Sequence, residues 1–315
     1  MNSIFKLLIL AFLSISIVSC GDDDGIVLFP DGDNNDEETN TIVDIAAGDD
    51  QFSTLVSALQ RTNLVETLQG DGPFTVFAPT NDAFDALGVD LMTISDDDLT
   101  EILLYHVLPS VALTENLAQG QSYLSTAAET GPDDNALSLL VEISGGRITV
   151  NNSSNVTTAD VDADNGVIHI IDSVLTPLDV VGHAQANSSF SSLVTALTGA
   201  SGELVSVLRG DGPFTVFAPV NSGFDAIADV TATLSPDQLG SVLTYHVISG
   251  ANVLSSDLSD NMVVSTVNGQ EFTVLIGDNV QIQDAGGNLS DVIITDVQAT
   301  NGVVHAISNV LIPTL

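Results

Sequence analysis

The chain has 315 residues and a formal net charge of −38, from 42 acidic and only 4 basic side chains. Such a surface repels phosphate backbones and has no basic stripe to release counterions, which excludes nucleic-acid binding and docking on anionic lipid headgroups. The length is too great for one typical domain and comfortable for two, each able to bury its own core.

Residues 1–19 carry Lys6, the apolar run LLILAFLSISIV and then small residues, the pattern of a secretory signal peptide. Cys20 follows as the only cysteine, so no intramolecular disulfide is available. Val18-Ser19-Cys20 resembles a bacterial lipobox, which implies that Cys20 becomes the lipidated first residue of the mature chain. The GDDDG after it resembles the export stretch of Bacteroidetes-type surface lipoproteins. These resemblances imply a protein lipid-anchored in the bacterial outer membrane, at the cell surface. No later segment offers eighteen consecutive apolar residues, so membrane contact is expected through the lipid alone. Residues 20–40, rich in Asp, Asn, Glu and Gly, read as an acidic flexible tether; their DGDNNDEE lacks the glycine that a calcium loop requires.

Beyond the tether the sequence repeats itself. FSTLVSAL (Phe52 to Leu59) returns as FSSLVTAL (Phe190 to Leu197), and GDGPFTVFAP (Gly70 to Pro79) returns unchanged at Gly210 to Pro219. LLYHVL (Leu103 to Leu108) matches LTYHVI (Leu243 to Ile248), and NGVIHIIDSVLTP (Asn165 to Pro177) matches NGVVHAISNVLIP (Asn301 to Pro313). Two homologous domains are expected, 41–178 and 179–315. The junction after Pro177 has almost no linker and few residues for a shared core, so independent folding is expected.

Within each copy, Phe52, Leu55, Val56 and Leu59, or Phe190, Leu193, Val194 and Leu197, make one apolar helix face. The Gly-Asp-Gly-Pro turn leads into PFTVFAP, apolar on both faces as a strand buried on two sides would be. Asn81 and Asn221 are placed to cap short helices burying Phe84 with Leu87 and Phe224 with Ile227. The next helices open with Ser95-Asp96-Asp97-Asp98 and with Ser235-Pro236-Asp237-Gln238, the latter a capping box with proline at N1. From Val141 and from Val263, alternating segments broken by Gly-Gly, Asn-Asn and Asn-Gly read as antiparallel strands. The fold class is α+β.

TVFAPTNDAF with TVFAPVNSGF, the two Tyr-His pairs, and NGVIHIID with NGVVHAIS together resemble the fasciclin (FAS1) domain, end to end in both copies. The resemblance implies tandem FAS1-like domains, each a β-sheet wedge flanked by helices, in proteins of adhesion, matrix contact or symbiosis. Its motif residues correspond to Tyr105 and His106 in the first copy and Tyr245 and His246 in the second. Ser308 departs from the pattern, standing where Asp172 supplies the usual aspartate.

Candidate chemistry is sparse. His106 follows the stripe Leu99, Ile102, Leu103, and His246 follows Leu239, Val242, Leu243, which reads as a buried structural histidine in each copy. His169 and His305 alternate with apolar residues on a strand, leaving open a two-histidine metal site per domain, but no third ligand recurs. Asp160, Asp162 and Asp164 mimic a calcium loop whose glycine comes one position late, and the second copy reads Asp296, Gln298, Thr300. Neither a G-x-S-x-G elbow nor a phosphate loop occurs. The expectation is a non-enzymatic adhesion or binding module without cofactor or metal, whose partner is a matrix, cell-surface or host component. The alternative is a secreted hydrolase of extracellular polymers acting through carboxylates that the repeat does not single out.

Overall fold

A computed structural model describes residues 40–89 and 91–315. The signal segment, Cys20 and all of the acidic stretch but Asn40 lie outside the described residues.

The repeated PFTVFAP forms the central strand of each copy. In the first, β1 (Phe74–Pro79), β2 (Val107–Leu108), β3 (Gly120–Ser125), β4 (Ser138–Ser144), β5 (Arg147–Val150), β6 (Ser154–Ala163) and β7 (Gly166–Ile171) make one sheet ordered β2-β1-β7-β6-β5-β4-β3. All neighbours are antiparallel except β1 and β7, which run parallel in register from Phe74↔Gly166 to Pro79↔Ile171. Bulges in β6 shift its register twice against β7, and the two arms of the wedge share that bent strand. The second copy repeats the plan with β8 (Phe214–Pro219), β9 (Val247–Ser249), β10 (Met262–Ser265), β11 (Glu271–Ile276), β12 (Val280–Gln283), β13 (Leu289–Ala299) and β14 (Gly302–Ile307). Its order is β10-β11-β12-β13-β14-β8-β9, with β8 parallel to β14.

Helices α1 (Ile42–Ala47), α2 (Ser53–Arg61), α3 (Val65–Gln69), α4 (Asn81–Leu87) and α5 (Asp96–Tyr105) flank the first sheet. The second is flanked by α6 (Val180–Ala186), α7 (Ser191–Gly199), α8 (Leu204–Leu208), α9 (Asn221–Ala226), α10 (Ala228–Thr231) and α11 (Pro236–Thr244). The central strand is buried on both faces because its alternating side chains serve two cores. Val76 and Ala78 pack with the helices, whereas Phe77 enters the core inside the wedge with Tyr105, Leu139 and Val150. Burying one such phenylalanine stabilises the fold by about 1.5 to 3 kcal/mol.

The glycines of the repeated turn answer to close backbone approach. A Cβ on Gly72 would lie 2.0 Å from the Asn165 carbonyl oxygen, and one on Gly166 would lie 2.0 Å from that of Phe74. The parallel pair begins where two backbones touch, so neither position admits a side chain.

Helix starts follow the sequence in part. Ser235 and Gln238 form the expected capping box, and the Ser95 hydroxyl accepts the Asp98 amide. Asn81 and Asn221, however, are not the caps of their own helices. The α4 cap is Thr80, whose hydroxyl accepts from the Ala83 amide, and α9 has Val220 at its N-cap position, which supplies no side-chain cap. The asparagines instead cap the neighbouring helix. Asn81 Oδ1 accepts from the Thr54 amide at 2.9 Å while its Nδ2 donates to the Asp50 carbonyl at 2.8 Å. Asn221 does the same to Ser192 and Ser188, both at 2.9 Å. An Asx side chain at the first helical turn satisfies the orphan donors of any helix end it can reach.

The described residues belong to one compact unit, and the copies meet through residues remote from the junction. The edge strand β3 lies against the second copy: Gln121 exchanges hydrogen bonds with Ser188 and Ser189 at 3.0 Å, and the Tyr123 hydroxyl accepts from Asn187 Nδ2 at 3.0 Å. Across the same contact the Gln298 amide donates to the Ser138 hydroxyl at 3.0 Å. Few shared residues at the junction therefore does not mean few shared residues between the copies.

Candidate functional site

Both Tyr-His pairs sit where the helix before β2 or β9 ends. Tyr105 is fully buried; its hydroxyl donates to the Ser138 carbonyl at 2.9 Å and accepts from Asn151 Nδ2 at 3.0 Å. Burial pushes the phenol above its ordinary range. Tyr245 donates to the Glu271 carbonyl at 2.7 Å and accepts from the Ala285 amide at 3.0 Å. In each copy the phenol crosses the inner core and ties the helix end to the far arm of the wedge.

The neighbouring histidine ties the same helix end to the segment after the second motif. His106 Nδ1 donates to the Ile102 carbonyl at 2.7 Å, and Nε2 accepts from the Leu175 amide at 2.9 Å. His246 repeats both bonds with Val242 at 2.8 Å and Leu311 at 2.9 Å. A carbonyl accepts and an amide donates, so these partners fix the neutral tautomer with its proton on Nδ1. Burial lowers both imidazoles to about 4, the hydrogen bond to the carbonyl offsetting it only in part.

His169 and His305 do not join these pairs in a ligand set. His169 Nε2 donates to the Ala112 carbonyl at 2.9 Å and Nδ1 accepts from the Asp160 amide at 3.2 Å. His305 does likewise with Val253 at 2.8 Å and Asp296 at 3.3 Å. With both ring nitrogens held by backbone groups, none of these four histidines keeps a lone pair for a metal. No group of three or more His, Cys, Asp or Glu side chains with ligand geometry occurs among the described residues.

Asp160 is a structural partner that sequence spacing alone obscured. At a bulge with φ of 56°, its carboxylate accepts from the Thr114 amide at 3.0 Å and from the Thr114 hydroxyl. Asp296, with φ of 59°, does the same to Ser255. The recurrence of an aspartate before the second motif in both copies was the available signal. Asp172 accepts from the Asn155 amide at 2.8 Å; in the second copy Ser308 Oγ accepts from the Asp291 amide at 3.0 Å, so a hydroxyl keeps the bond without the charge. Burial raises the Asp172 carboxyl, but hydrogen bonds from Asn155, Ser173 and Ser154 outweigh it and hold the group lower.

One histidine escaped the motif reading. His183, on α6, is 1 % exposed, and neither ring nitrogen has a hydrogen-bond partner. Its ring lies 5.8 Å from that of Tyr123 across the contact between copies, tilted by 59°. Burial lowers its pKa to about 4, with the nearby Gln298 backbone offsetting this in part.

These arrangements fix where the motif residues point: inward, binding helix ends to strands. The fasciclin domain model matches residues 50–177 and 188–313. The chain belongs to the fasciclin family. Among related fasciclin chains, protein sll1483 of Synechocystis is 45% identical over 142 residues, 44% of this chain and 73% of that protein. Transforming growth factor-beta-induced protein ig-h3 of Sus scrofa is 31% identical over 255 residues, covering 78% of this chain but only 35% of the relative. The FAS1 domain pair of the insect cell adhesion molecule fasciclin I superposes with a TM-score of 0.50 at 18% identity, over 84% of this chain and 97% of that one. The fasciclin pair therefore shares its fold with a solved FAS1 pair. No helix among its described residues is long and apolar enough to cross a membrane.

Proposed function

We propose that this fasciclin pair is a surface-displayed adhesion module. In this reading Cys20 carries the lipid anchor in the outer membrane, residues 20–40 space the folded part from the bilayer, and the domains present their loops to a matrix, host or neighbouring cell component. The observation that carries it is the shared fold with the FAS1 pair of an insect cell adhesion molecule. The inward Tyr-His pairs support it from another side. The groups best suited to acid-base work are buried and bonded to the backbone, which leaves the exposed loops and sheet faces as the surface available to a partner.

Immobilised residues 41–315, presented with extracellular-matrix and envelope fractions, should capture a component saturably. Turnover of a glycan panel without stable capture would replace this reading with the hydrolase. Cys20→Ser should move the full chain from the detergent phase to the soluble fraction; retention in the detergent phase would remove the anchor.

A further inference from the structure

The two copies differ inside their helical cores. In the second, a cavity of about 110 Å³ lies between the sheet and helices α6, α7, α8 and α11. The equivalent place in the first copy holds only about 20 Å³. Three replacements hollow it. Val180 stands where the first copy has Ile42, and their amides donate to the equivalent Asn301 and Asn165 at 3.0 Å. Val304 stands for Ile168 at the same register of the parallel pair. Thr244 stands for Leu104, which packs on the helical core of the first copy.

The inner wall of this cavity offers no unpaired polar side chain. Thr244 turns its hydroxyl back onto the Gly240 carbonyl at 2.8 Å, and the bordering His246 has both nitrogens occupied. A void of about 150 Å³ with apolar walls stays empty of water and binds benzene. The rim is mainly apolar: Val207 on α8 and Val267 after β10 are 53% and 47% exposed, with exposed Ser249 as the polar side chain beside them. A packing defect sealed inside a core has no such entrance. Net charge sets the remaining limit, because a chain at −38 disfavours a ligand with an anionic headgroup.

We propose that the second domain binds a neutral hydrocarbon group of about six carbons in this cavity, entering past Val207 and Val267. The group is either a free aromatic ring or the end of an alkyl chain. Residues 41–315 would be titrated with benzene, with 1-octanol and with octanoate while thermal unfolding is followed. A saturable rise in midpoint with benzene alone assigns the site to a ring, and one with octanol alone assigns it to an alkyl chain; octanoate should give the weakest response. Thr244→Leu and Val304→Ile restore the side chains of the first copy, so each should melt higher without any probe and bind at least about tenfold more weakly. Two variants guard against one that repacks badly. A parent that responds to neither benzene nor octanol overturns the proposal, as does a response unchanged in both variants.

Discussion

Replacing His183 with leucine removes the buried polar group that the contact between copies leaves without a hydrogen bond. At neutral pH two effects oppose each other. Relief of the unsatisfied ring nitrogens is worth about 1 to 3 kcal/mol, and loss of the tilted ring contact with Tyr123 costs about 0.5 to 1.5 kcal/mol. Near pH 7 the variant should therefore match or slightly exceed the parent. The decisive difference appears in acid. The folded imidazole titrates at about 4, whereas an unfolded histidine titrates at about 6.5, so between these values the unfolded chain binds the extra proton. Stability is complete above about pH 6.5 and falls as the pH is lowered through that window, by about 3 kcal/mol in all and about 2 kcal/mol by pH 5. His106 and His246, also lowered to about 4, give parent and variant the same background decline. Urea unfolding of residues 41–315 and of the variant, at about pH 7 and about pH 5, isolates the difference. If the two proteins lose equal stability on acidification, His183 is not held neutral by burial and the reasoning fails.

His246→Ala leaves the buried Leu311 amide unpaired beside a void that already exists, while the Val242 carbonyl keeps only its 3.2 Å bond from the Tyr245 amide, so the transition of the second domain should drop by about 2 to 4 kcal/mol. EDTA should not alter the parent's melting; a chelator-sensitive midpoint abolished by the substitution would establish a metal site instead. Asn81→Ala removes the acceptor of the Thr54 amide and should cost about 1 to 2 kcal/mol, read from urea midpoints, whereas an effect confined to α4 in hydrogen exchange would restore the asparagine to its own helix. Gly166→Ala drives a methyl into the Phe74 carbonyl and should cost at least about 4 kcal/mol, leaving the first domain unfolded by circular dichroism; a native spectrum would mean that the parallel pair can separate.

What the sequence made legible was local or repeated. The central strand, its glycine turn and the Ser235 capping box needed only periodicity and spacing, and identity over ten positions in both copies marked the turn and the strand. Asn81 misled because its partner lies 27 residues away, and propensity at a helix start does not say which helix is capped. His183 was invisible for the opposite reason. It has no counterpart in the first copy, where Ile45 holds the place on α1, and its environment is supplied by Tyr123 from the other domain. The cavity lay in between: two of its three replacements trim an isoleucine to a valine and the third exchanges Leu104 for Thr244, and only their convergence on one volume in three dimensions gives them meaning.

The docking of β3 on the second domain gives the molecule a head and a tail. Tyr123 has Val263 as its counterpart on β10, 58% exposed, and the partner helix face carrying His183 corresponds to α1, where Ile45 is half-buried. Each module thus carries one half of a joint and lacks the other. A protein rebuilt with the modules in reversed order would bring Val263 against Ile45, without the tyrosine, glutamine and asparagine that hold the present joint. The repeated modules therefore make a vector, and its order of assembly is written into side chains that the two copies do not share.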